Sequence, residues 1–235
     1  MREHLTIIKV GGKVVEEPES LKSLLKDFSR IAGHKILVHG GGKTATHLAE
    51  QLGIESKMVE GRRITDAETL KVVTMVYAGL VNKTVVAGLQ SLGTNAIGLT
   101  GADLDIIRAE KRPVGDIDYG FVGDIKRINN SSMFELINMG AVPVVAPITH
   151  DSKGQLLNTN ADTIASELAV SMSYEFDVRL VFCFEKPGVL LNEADDKSVI
   201  GEITPDLFEK YKAEGVVSGG MIPKLHNGFN ALKQG

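Results

Sequence analysis

The chain has 235 residues, of which 43% are hydrophobic and 24% are charged, so it can bury a substantial core in one globular unit. Its formal net charge of -4 argues against a main function in nucleic-acid or anionic-membrane binding. A single cysteine excludes an internal disulfide framework and is typical of a protein of the reducing cytoplasm.

The first part of the chain alternates between apolar strands and helices. No signal peptide is predicted, because the N-terminus has no long apolar region, and no run approaches transmembrane length. Buried strands are predicted at 5–10 and 35–39, where the runs are short and apolar. Helices with apolar spacing are predicted at 20–33 and 43–53, each ended by a glycine. This order is typical of a parallel sheet covered by helices.

A long helix is predicted next, from a cap at Thr65 or Asp66 to Gly93. Apolar residues cover much of its circumference, which indicates a central position or a subunit interface. Cys183 lies in a later apolar strand and is expected to be buried. The remaining predicted elements are a strand at 95–99, β-hairpins at 105–128, a helix at 131–140, a strand at 141–148, a helix at 158–172, a strand at 178–184, and helices at 204–215 and 218–235.

Two glycine-rich turns in the first part of the chain can expose N–H groups to an anion. One places Lys9 beside Gly11 and Gly12; the alternative is a tight turn with a solvated lysine. The other, at 40–42, links a strand to a helix and lacks the first glycine of a P-loop, but with the helix N-terminus it can still form an anion site. Lys43, the next residue, is expected on a solvated helix face.

A third glycine turn lies near the end of the chain. Gly219 and Gly220 precede a predicted helix that has Lys224 in its first turn. A lysine gains nothing from the positive end of a helix dipole, which indicates an anion nearby. This misplaced charge is the strongest functional signal that the residues give on their own.

Two polar stretches have side chains suited to a carboxylate or amide group. Arg62 and Arg63 precede the long helix, and arginine can bind a carboxylate through two parallel hydrogen bonds; an exposed arginine pair is the alternative. Asn158, Asn160 and Asp162 open another helix. Either asparagine alone would suit a helix cap, but both together with Asp162 are more than a cap needs.

Taken together and in this order, these pieces resemble the amino-acid kinase family from about residue 5 to the end of the chain. The matching motifs are IKVGG, VHGGGK, GRRITD, VNKT, FVGDI, LLNTNADTIASELA, PGVL and GGMIPK. Their combination is similar to the branch that acts on acylglutamate. The resemblance implies an α/β fold, a three-layer αβα sandwich with a mainly parallel central sheet, in a single domain over 1–235. A lobe of about 1–170 would bind the acyl amino acid, and a lobe of about 171–235 would bind ATP.

The resemblance also implies a reaction. ATP, with Mg²⁺, would phosphorylate the γ-carboxylate of N-acetyl-L-glutamate in the second step of arginine biosynthesis. A carboxylate with an ordinary pKa of about 4.3 is already ionised at neutral pH, so no general base is needed. The alternatives are the same reaction on N-succinyl-L-glutamate, which Arg62 as a second cation favours, and a catalytically silent arginine-sensing domain. The expected partners are small molecules, with neither nucleic acid nor membrane.

The resemblance assigns expected roles to the motif residues. Two lysines would hold the transferring phosphoryl group, an aspartate would orient them, and a glycine would donate its N–H: Lys9, Lys224, Asp162 and Gly11. The expected substrate contacts are Gly41, Gly42, Arg63, Asn158 and Asn160. The expected nucleotide contacts are Gly12, Phe184, Glu185, Gly188, Val189, Ser218 and Gly219. Mg²⁺ would be held mostly by phosphate oxygens and water, so no protein metal ligand is expected.

Three features depart from the family pattern. Residues 184–187 read FEKP where the family usually has Ser or Thr followed by Asp-Val. Arg62 stands where an apolar residue is common. Family members normally continue through another strand after the segment that ends this chain. Arginine-sensitive relatives are hexamers with an additional N-terminal helix, for which residues 1–4 are too few. The expected assembly is a homodimer through the long apolar helix, without inhibition by arginine.

Overall fold

The structure, a computed structural model, describes residues 2–59 and 62–234. Gly61, which opens the Gly-x-Arg-Ile-Thr motif, lies outside these ranges. In chain order the elements are β1 (His4–Val10), α1 (Gly12–Glu16), α2 (Pro18–Ser29), β2 (His34–His39), α3 (Gly42–Gln51), β3 (Met58–Val59), β4 (Arg62–Arg63), α4 (Ala67–Thr74), a π-helical segment (Met75–Val81), α5 (Asn82–Ser91), β5 (Ala96–Leu99), a 3₁₀ turn (Asp103–Asp105), β6 (Ile107–Lys111), β7 (Gly123–Ile128), α6 (Asn130–Asn138), β8 (Val142–Val145), β9 (Ile148–His150), β10 (Leu156–Asn158), α7 (Ala161–Met172), β11 (Asp177–Cys183), α8 (Pro205–Ala213) and α9 (Met221–Gln234).

The central sheet has five strands in the order β11-β1-β2-β8-β5, and all four pairings are parallel. Successive side chains of a strand point to opposite faces. On β1, Ile8 and Val10 therefore join a core with α2, α3 and the helix over 67–91, while Leu5 and Ile7 join a core with α6 and α7. The predicted αβα sandwich with a mainly parallel sheet is confirmed.

A second sheet, in the order β10-β9-β6-β7, lies beside the central one. β6 and β7 pair antiparallel, which confirms a hairpin within 105–128. The sequence did not predict the short strands β9 and β10. They pair antiparallel with each other, and β10 ends at Asn158, so this sheet leads the chain into the start of α7.

The predicted long helix runs from 67 to 91 and is capped by Asp66, whose Oδ1 accepts from the N–H of Thr69 at 2.8 Å. Its π-helical middle was not predicted. With 25 residues, this helix is also long and apolar enough to cross a membrane, although no run of that length is expected from the sequence. However, 44% of its most apolar stretch is buried inside this protein. Val73, Val85 and Leu89 are wholly buried, so it packs as a core helix.

Three local predictions need correction. The helix predicted at 20–33 is α2, which begins at Pro18 and ends at Ser29, so Gly33 lies beyond its C-cap. The short helix α1 precedes it and was not predicted. Cys183 is half-buried, not buried. The reason is that, among the described residues, β11 pairs with β1 alone and forms an edge of the sheet.

Candidate active site

Asp162 joins the two lysines that the sequence singled out. Its Oδ1 lies 2.7 Å from Nζ of Lys9 on β1, and its Oδ2 lies 3.4 Å from Nζ of Lys224 on α9. Lys9 and Asp162 are each only 7% exposed, and a buried carboxylate is stable when paired. Asp162 also lies in the first turn of α7, where the helix dipole favours a negative charge. The fold thus holds two ammonium groups on either side of one carboxylate.

Two glycine turns come together next to Lys9. A Cβ at Gly12 would lie 3.4 Å from the backbone nitrogen of Gly41 and 3.5 Å from that of Gly42. The turns are joined by a hydrogen bond from the N–H of Gly40 to the carbonyl of Val10, at 3.2 Å. Backbone N–H groups from two helix starts therefore lie side by side, an arrangement that can bind an anion.

The N–H of Gly11, which is expected to donate to a phosphoryl group, already has a backbone partner in this structure. It donates to the carbonyl of Cys183 at 2.8 Å, because the pairing of β1 with β11 continues one residue beyond β1. Gly12 is the first residue of α1, and N–H groups at a helix start have no partner inside the helix. The N–H of Gly12, rather than that of Gly11, is therefore the one available to an anion at this turn.

Arg63 is buried, and it holds the second glycine turn. Its Nη2 donates to the carbonyl of Gly42 and to Oγ1 of Thr46, both at 2.8 Å, and its Nη1 donates to Oγ of Ser56 at 2.9 Å. A guanidinium has five N–H donors, so two remain beyond these three bonds, and the hydroxyl of Tyr77 interacts with the same guanidinium. Arg63 both supports the turn and lines a cavity beside it.

A cavity of about 200 Å³ contains the expected substrate residues Gly41, Gly42, Arg63, Asn158 and Asn160. The amide of Asn158 donates to Oγ1 of Thr65 at 3.0 Å. Asn160 is the N-cap of α7, and its Oδ1 accepts from the N–H groups of Asp162 and Thr163. The side-chain oxygen of Asn160 is therefore used to cap α7, as the alternative interpretation had it. Only the amide nitrogen of Asn160 remains for a substrate.

Apart from Gly12, which lies in the glycine turn beside Gly41, the expected nucleotide residues fall into three groups. Phe184, Gly188 and Val189 line a larger, mainly apolar cavity of about 460 Å³ between α7, β11 and α9. Ser218 and Gly219 are exposed just before α9. The carboxylate of Glu185 pairs with Lys13, and the hydrogen bond from Lys13 holds the pKa of Glu185 below its usual range.

Several residues around the site were missed in the sequence. Tyr77 packs against Gly41 from the π-helical segment, and burial raises its pKa. Glu16 accepts from the N–H of Thr44 at 2.8 Å and so ties α1 to α3. His39 is fully buried beneath the glycine turn, and burial lowers its pKa to about 4. Of these, only His39, directly before the glycines, stood where a sequence signal was visible.

Comparison with known proteins gives a consistent result. The profile of the Amino acid kinase family matches residues 4–235. A relative from Bacteroides thetaiotaomicron named acetylglutamate kinase is 65% identical over 235 residues, which are 100% of this chain and 91% of the relative. A relative of the same name from Phocaeicola vulgatus is also 65% identical with the same coverage. The crystal structure of smu.665 from Streptococcus mutans UA159 matches with a TM-score of 0.84 at 25% identity, over 98% of this chain and 91% of that one.

Proposed function

This chain belongs to the amino acid kinase family, and we propose that it transfers the γ-phosphoryl group of ATP to the γ-carboxylate of N-acetyl-L-glutamate, a step of arginine biosynthesis. The names of relatives at 65% identity support this substrate. The structural observation that carries the proposal is Asp162, which holds Lys9 and Lys224 from opposite oxygens.

Electrostatic repulsion is the obstacle to this reaction. The γ-carboxylate is ionised at neutral pH and must approach a triphosphate that is also negatively charged. Lys9 and Lys224 supply positive charge on either side, and Asp162 fixes both ammonium groups before the substrates arrive. Such fixed charges stabilise the transition state because they need no reorganisation during the reaction.

The smaller cavity is the proposed site for the acyl amino acid. Arg63 and Asn158 offer donors for its carboxylate and amide groups, and the N–H groups of Gly41 and Gly42 face the transferring phosphoryl group. The segment with Phe184, Glu185, Gly188 and Val189 and the turn Ser218-Gly219 are the proposed nucleotide contacts, in a C-terminal lobe of about 171–235. The N-terminal lobe of about 1–170 binds the acyl amino acid.

Mg²⁺ enters this proposal with the nucleotide. Within residues 2–59 and 62–234 no group of three or more His, Cys, Asp or Glu side chains could hold a metal ion, and Asp162 is engaged by lysines. These residues do not fit a protein-held ion. MgATP, with its ion on phosphate oxygens and water, is therefore the proposed substrate form.

We also propose a cytoplasmic homodimer. Met75 and Leu80 are 53% and 58% exposed on the outer side of the helix over 67–91, whereas Val76 and Val81 beside them are buried. An apolar face of this kind is suited to a two-fold contact. The half-buried free thiol of Cys183 is compatible with a reducing compartment.

The decisive experiment measures ADP release by the purified protein with N-acetyl-L-glutamate, L-glutamate, L-aspartate and N-succinyl-L-glutamate. We expect the highest kcat/KM with the acetyl substrate, and we expect Asp162→Asn to lose activity while it still binds ADP. Activity with L-aspartate alone would contradict the proposal. A protein that binds arginine but releases no ADP with any substrate would identify the silent sensor.

One observation favours the second candidate substrate, N-succinyl-L-glutamate. Arg62 and Arg112 line the smaller cavity together with Arg63. Arg112 is neutralised by Asp124, with Nη2 2.6 Å from Oδ1, whereas the side chain of Arg62 is exposed. Arg62 is thus a cation at the cavity that can meet a second carboxylate.

A further inference from the structure

Lys13 forms an ion pair between the glycine turn after β1 and the segment after β11. It follows Gly12 in the first turn of α1, and its ammonium pairs with the carboxylate of Glu185 in the segment after β11. The two residues are 172 positions apart in the chain. The contact therefore connects the glycine turn after β1 with the segment proposed to bind nucleotide.

The charges in this region alternate. Lys9 pairs with Asp162, and Asp162 pairs with Lys224. Lys224 in turn lies close enough to Glu185 for its charge to lower the pKa of that carboxyl, after the larger effect of the Lys13 hydrogen bond. Three lysines are thus held by two carboxylates, and this leaves one positive charge over for an anionic ligand.

The two carboxylates differ in how firmly they hold their lysines. Asp162 is buried, whereas the side chains of Lys13 and Glu185 are 55% and 44% exposed. An exposed ion pair contributes little to stability, because water and salt screen it and two long side chains must be ordered. Lys13 can therefore exchange Glu185 for another anion at little cost.

We propose that Lys13 is a further phosphate-binding residue, which Glu185 holds in place until the polyphosphate of the nucleotide replaces it. The ammonium of lysine is a compact charge on a flexible stem, suited to following phosphate oxygens. Glu185 then acts as a competitor of the phosphates and as a positioning residue for Lys13. The identity of the ligand as ATP rests on the proposed function; the phosphate site itself does not.

This exchange predicts opposite effects for the two partners. Lys13→Met removes a charge-assisted contact, so the Kd for inorganic tripolyphosphate and for ADP should rise at least about tenfold. Glu185→Gln removes the competing carboxylate, so the Kd for tripolyphosphate should fall, by about two- to fivefold. The double variant should bind tripolyphosphate more weakly than Glu185→Gln, because the contact with Lys13 is gone in it too.

The measurement is isothermal titration calorimetry on the full chain at low and moderate salt, with KM for ATP as a second readout. Lys71→Met is the matched control, because it removes an exposed lysine that is paired with Glu68 at 2.7 Å on α4. A merely structural ion pair would weaken binding in both single variants alike, and that result would overturn the proposal. So would an unchanged Kd in Lys13→Met, or a wild-type protein that does not bind tripolyphosphate.

Failure of the proposed function would look different. If wild type forms no ADP with N-acetyl-L-glutamate but binds tripolyphosphate with the opposite shifts in Lys13→Met and Glu185→Gln, the phosphate site stands and the substrate assignment is wrong. If ADP forms and the shifts are absent, the substrate assignment stands and Lys13 has no role in phosphate binding.

Discussion

The Nη2 atom of Arg63 donates to the carbonyl of Gly42 at 2.8 Å, so the arginine expected to bind a substrate carboxylate also supports the turn expected to bind the phosphoryl group. Bonds to Thr46 and Ser56 use two further donors. The sequence predicted that Arg63 binds a carboxylate through two parallel hydrogen bonds. Such binding would need N–H donors that already bond to these partners. The geometry instead leaves at most Nε and one hydrogen of Nη1 for the ligand, since the hydroxyl of Tyr77 also interacts with this guanidinium.

Arg63→Ala should therefore raise the KM for N-acetyl-L-glutamate much more than the KM for ATP. The loss of one charged hydrogen bond to the substrate corresponds to about 1.5–3 kcal/mol. Steady-state kinetics with each substrate varied in turn measures it. Ser56→Ala, which removes only the Nη1 partner, is the control and should change both KM values little. Equal losses for the two substrates would mean that Arg63 acts only through the glycine turn.

Lys9→Met and Lys224→Met should each lower kcat far more than they raise KM. By analogy with the loss of one oxyanion donor, we expect a cost of about 3–4 kcal/mol in transition-state stabilisation. The two variants should differ in the free energy of unfolding. Lys9 is buried at 2.7 Å from Asp162, so its loss leaves a buried carboxylate and should cost about 3–5 kcal/mol of unfolding free energy. The loss of Lys224 should cost less unfolding free energy, because its Nζ lies 3.4 Å from Oδ2 of Asp162 and its side chain is more exposed.

The control for this prediction is Asp162→Asn in the Lys9→Met background. It removes the buried charge that has lost its nearer partner and keeps only Lys224 at 3.4 Å, so the double variant should regain part of the lost stability without regaining kcat. Chemical denaturation and ADP-release kinetics give the two readouts. A Lys9→Met enzyme that keeps more than about a tenth of the wild-type kcat would show that Lys9 does not act in the transition state.

Local patterns predicted the elements better than the contacts between them. The runs that contain Leu5 and Leu37 are apolar and short, and they form buried strands as expected. The bond from Gly11 to Cys183 could not be predicted, because it depends on β11 returning to pair with β1 from the far end of the chain. The pairing of Lys13 with Glu185 has the same origin.

The candidate site shows the same limit. Lys9, Asp162 and Lys224 came from a family resemblance; from spacing alone, only Lys224 carried a clear signal. Tyr77 carried none, because an aromatic residue in an apolar helix looks like any core residue, and its contact with Gly41 depends on the π-helical turn at Met75–Val81. Such segments occur often at functional sites but have no simple sequence pattern.

Gly41→Ala and Gly42→Ala should differ in stability although the residues are adjacent. Gly41 has φ 153°, and a Cβ there would lie 3.2 Å from both Tyr77 and Val81. We expect a loss of about 1–3 kcal/mol in the free energy of unfolding. A Cβ at Gly42 would meet nothing within 4 Å, so that variant should unfold like wild type. Urea denaturation compares the two, and equal midpoints would contradict the packing described here.

Arg62→Ala tests which acyl group the cavity prefers. If Arg62 binds a second carboxylate, the kcat/KM of the variant with N-succinyl-L-glutamate should fall by an amount that corresponds to about 1.5–3 kcal/mol. The kcat/KM with N-acetyl-L-glutamate should change little. Its exposed side chain makes a solvent-facing role the alternative. Kinetics with both substrates in wild type and variant separate the two. Equal effects on both substrates would show that Arg62 does not bind a second carboxylate. N-acetyl-L-glutamate would then be the better-supported substrate.

His39 should make the protein less stable as the pH falls below neutrality. Its Nδ1 donates to the carbonyl of Gly40 at 2.8 Å, and its Nε2 accepts from the amide of Asn82 at 3.1 Å. Protonation would place a hydrogen on Nε2 against that amide, and burial lowers the pKa to about 4 from the ordinary 6.5. Between these two pKa values the unfolded chain binds more protons than the folded one, so stability is lost as the pH falls from 6.5 to about 4 and then levels off.

The expected total loss from His39 is about 3 kcal/mol, since each pKa unit corresponds to about 1.4 kcal/mol. Denaturation in urea at several pH values between 7 and 4 gives the slope for wild type, for His39→Gln and for the control His47→Gln. His47 is exposed on α3, and its variant should keep the wild-type slope. His39→Gln should be less stable at pH 7 but should show a shallower decline, because the group that takes up the proton on unfolding is gone. A variant with the full wild-type slope would assign the acid sensitivity to other groups, and the buried imidazole under the glycine turn would then not be its source.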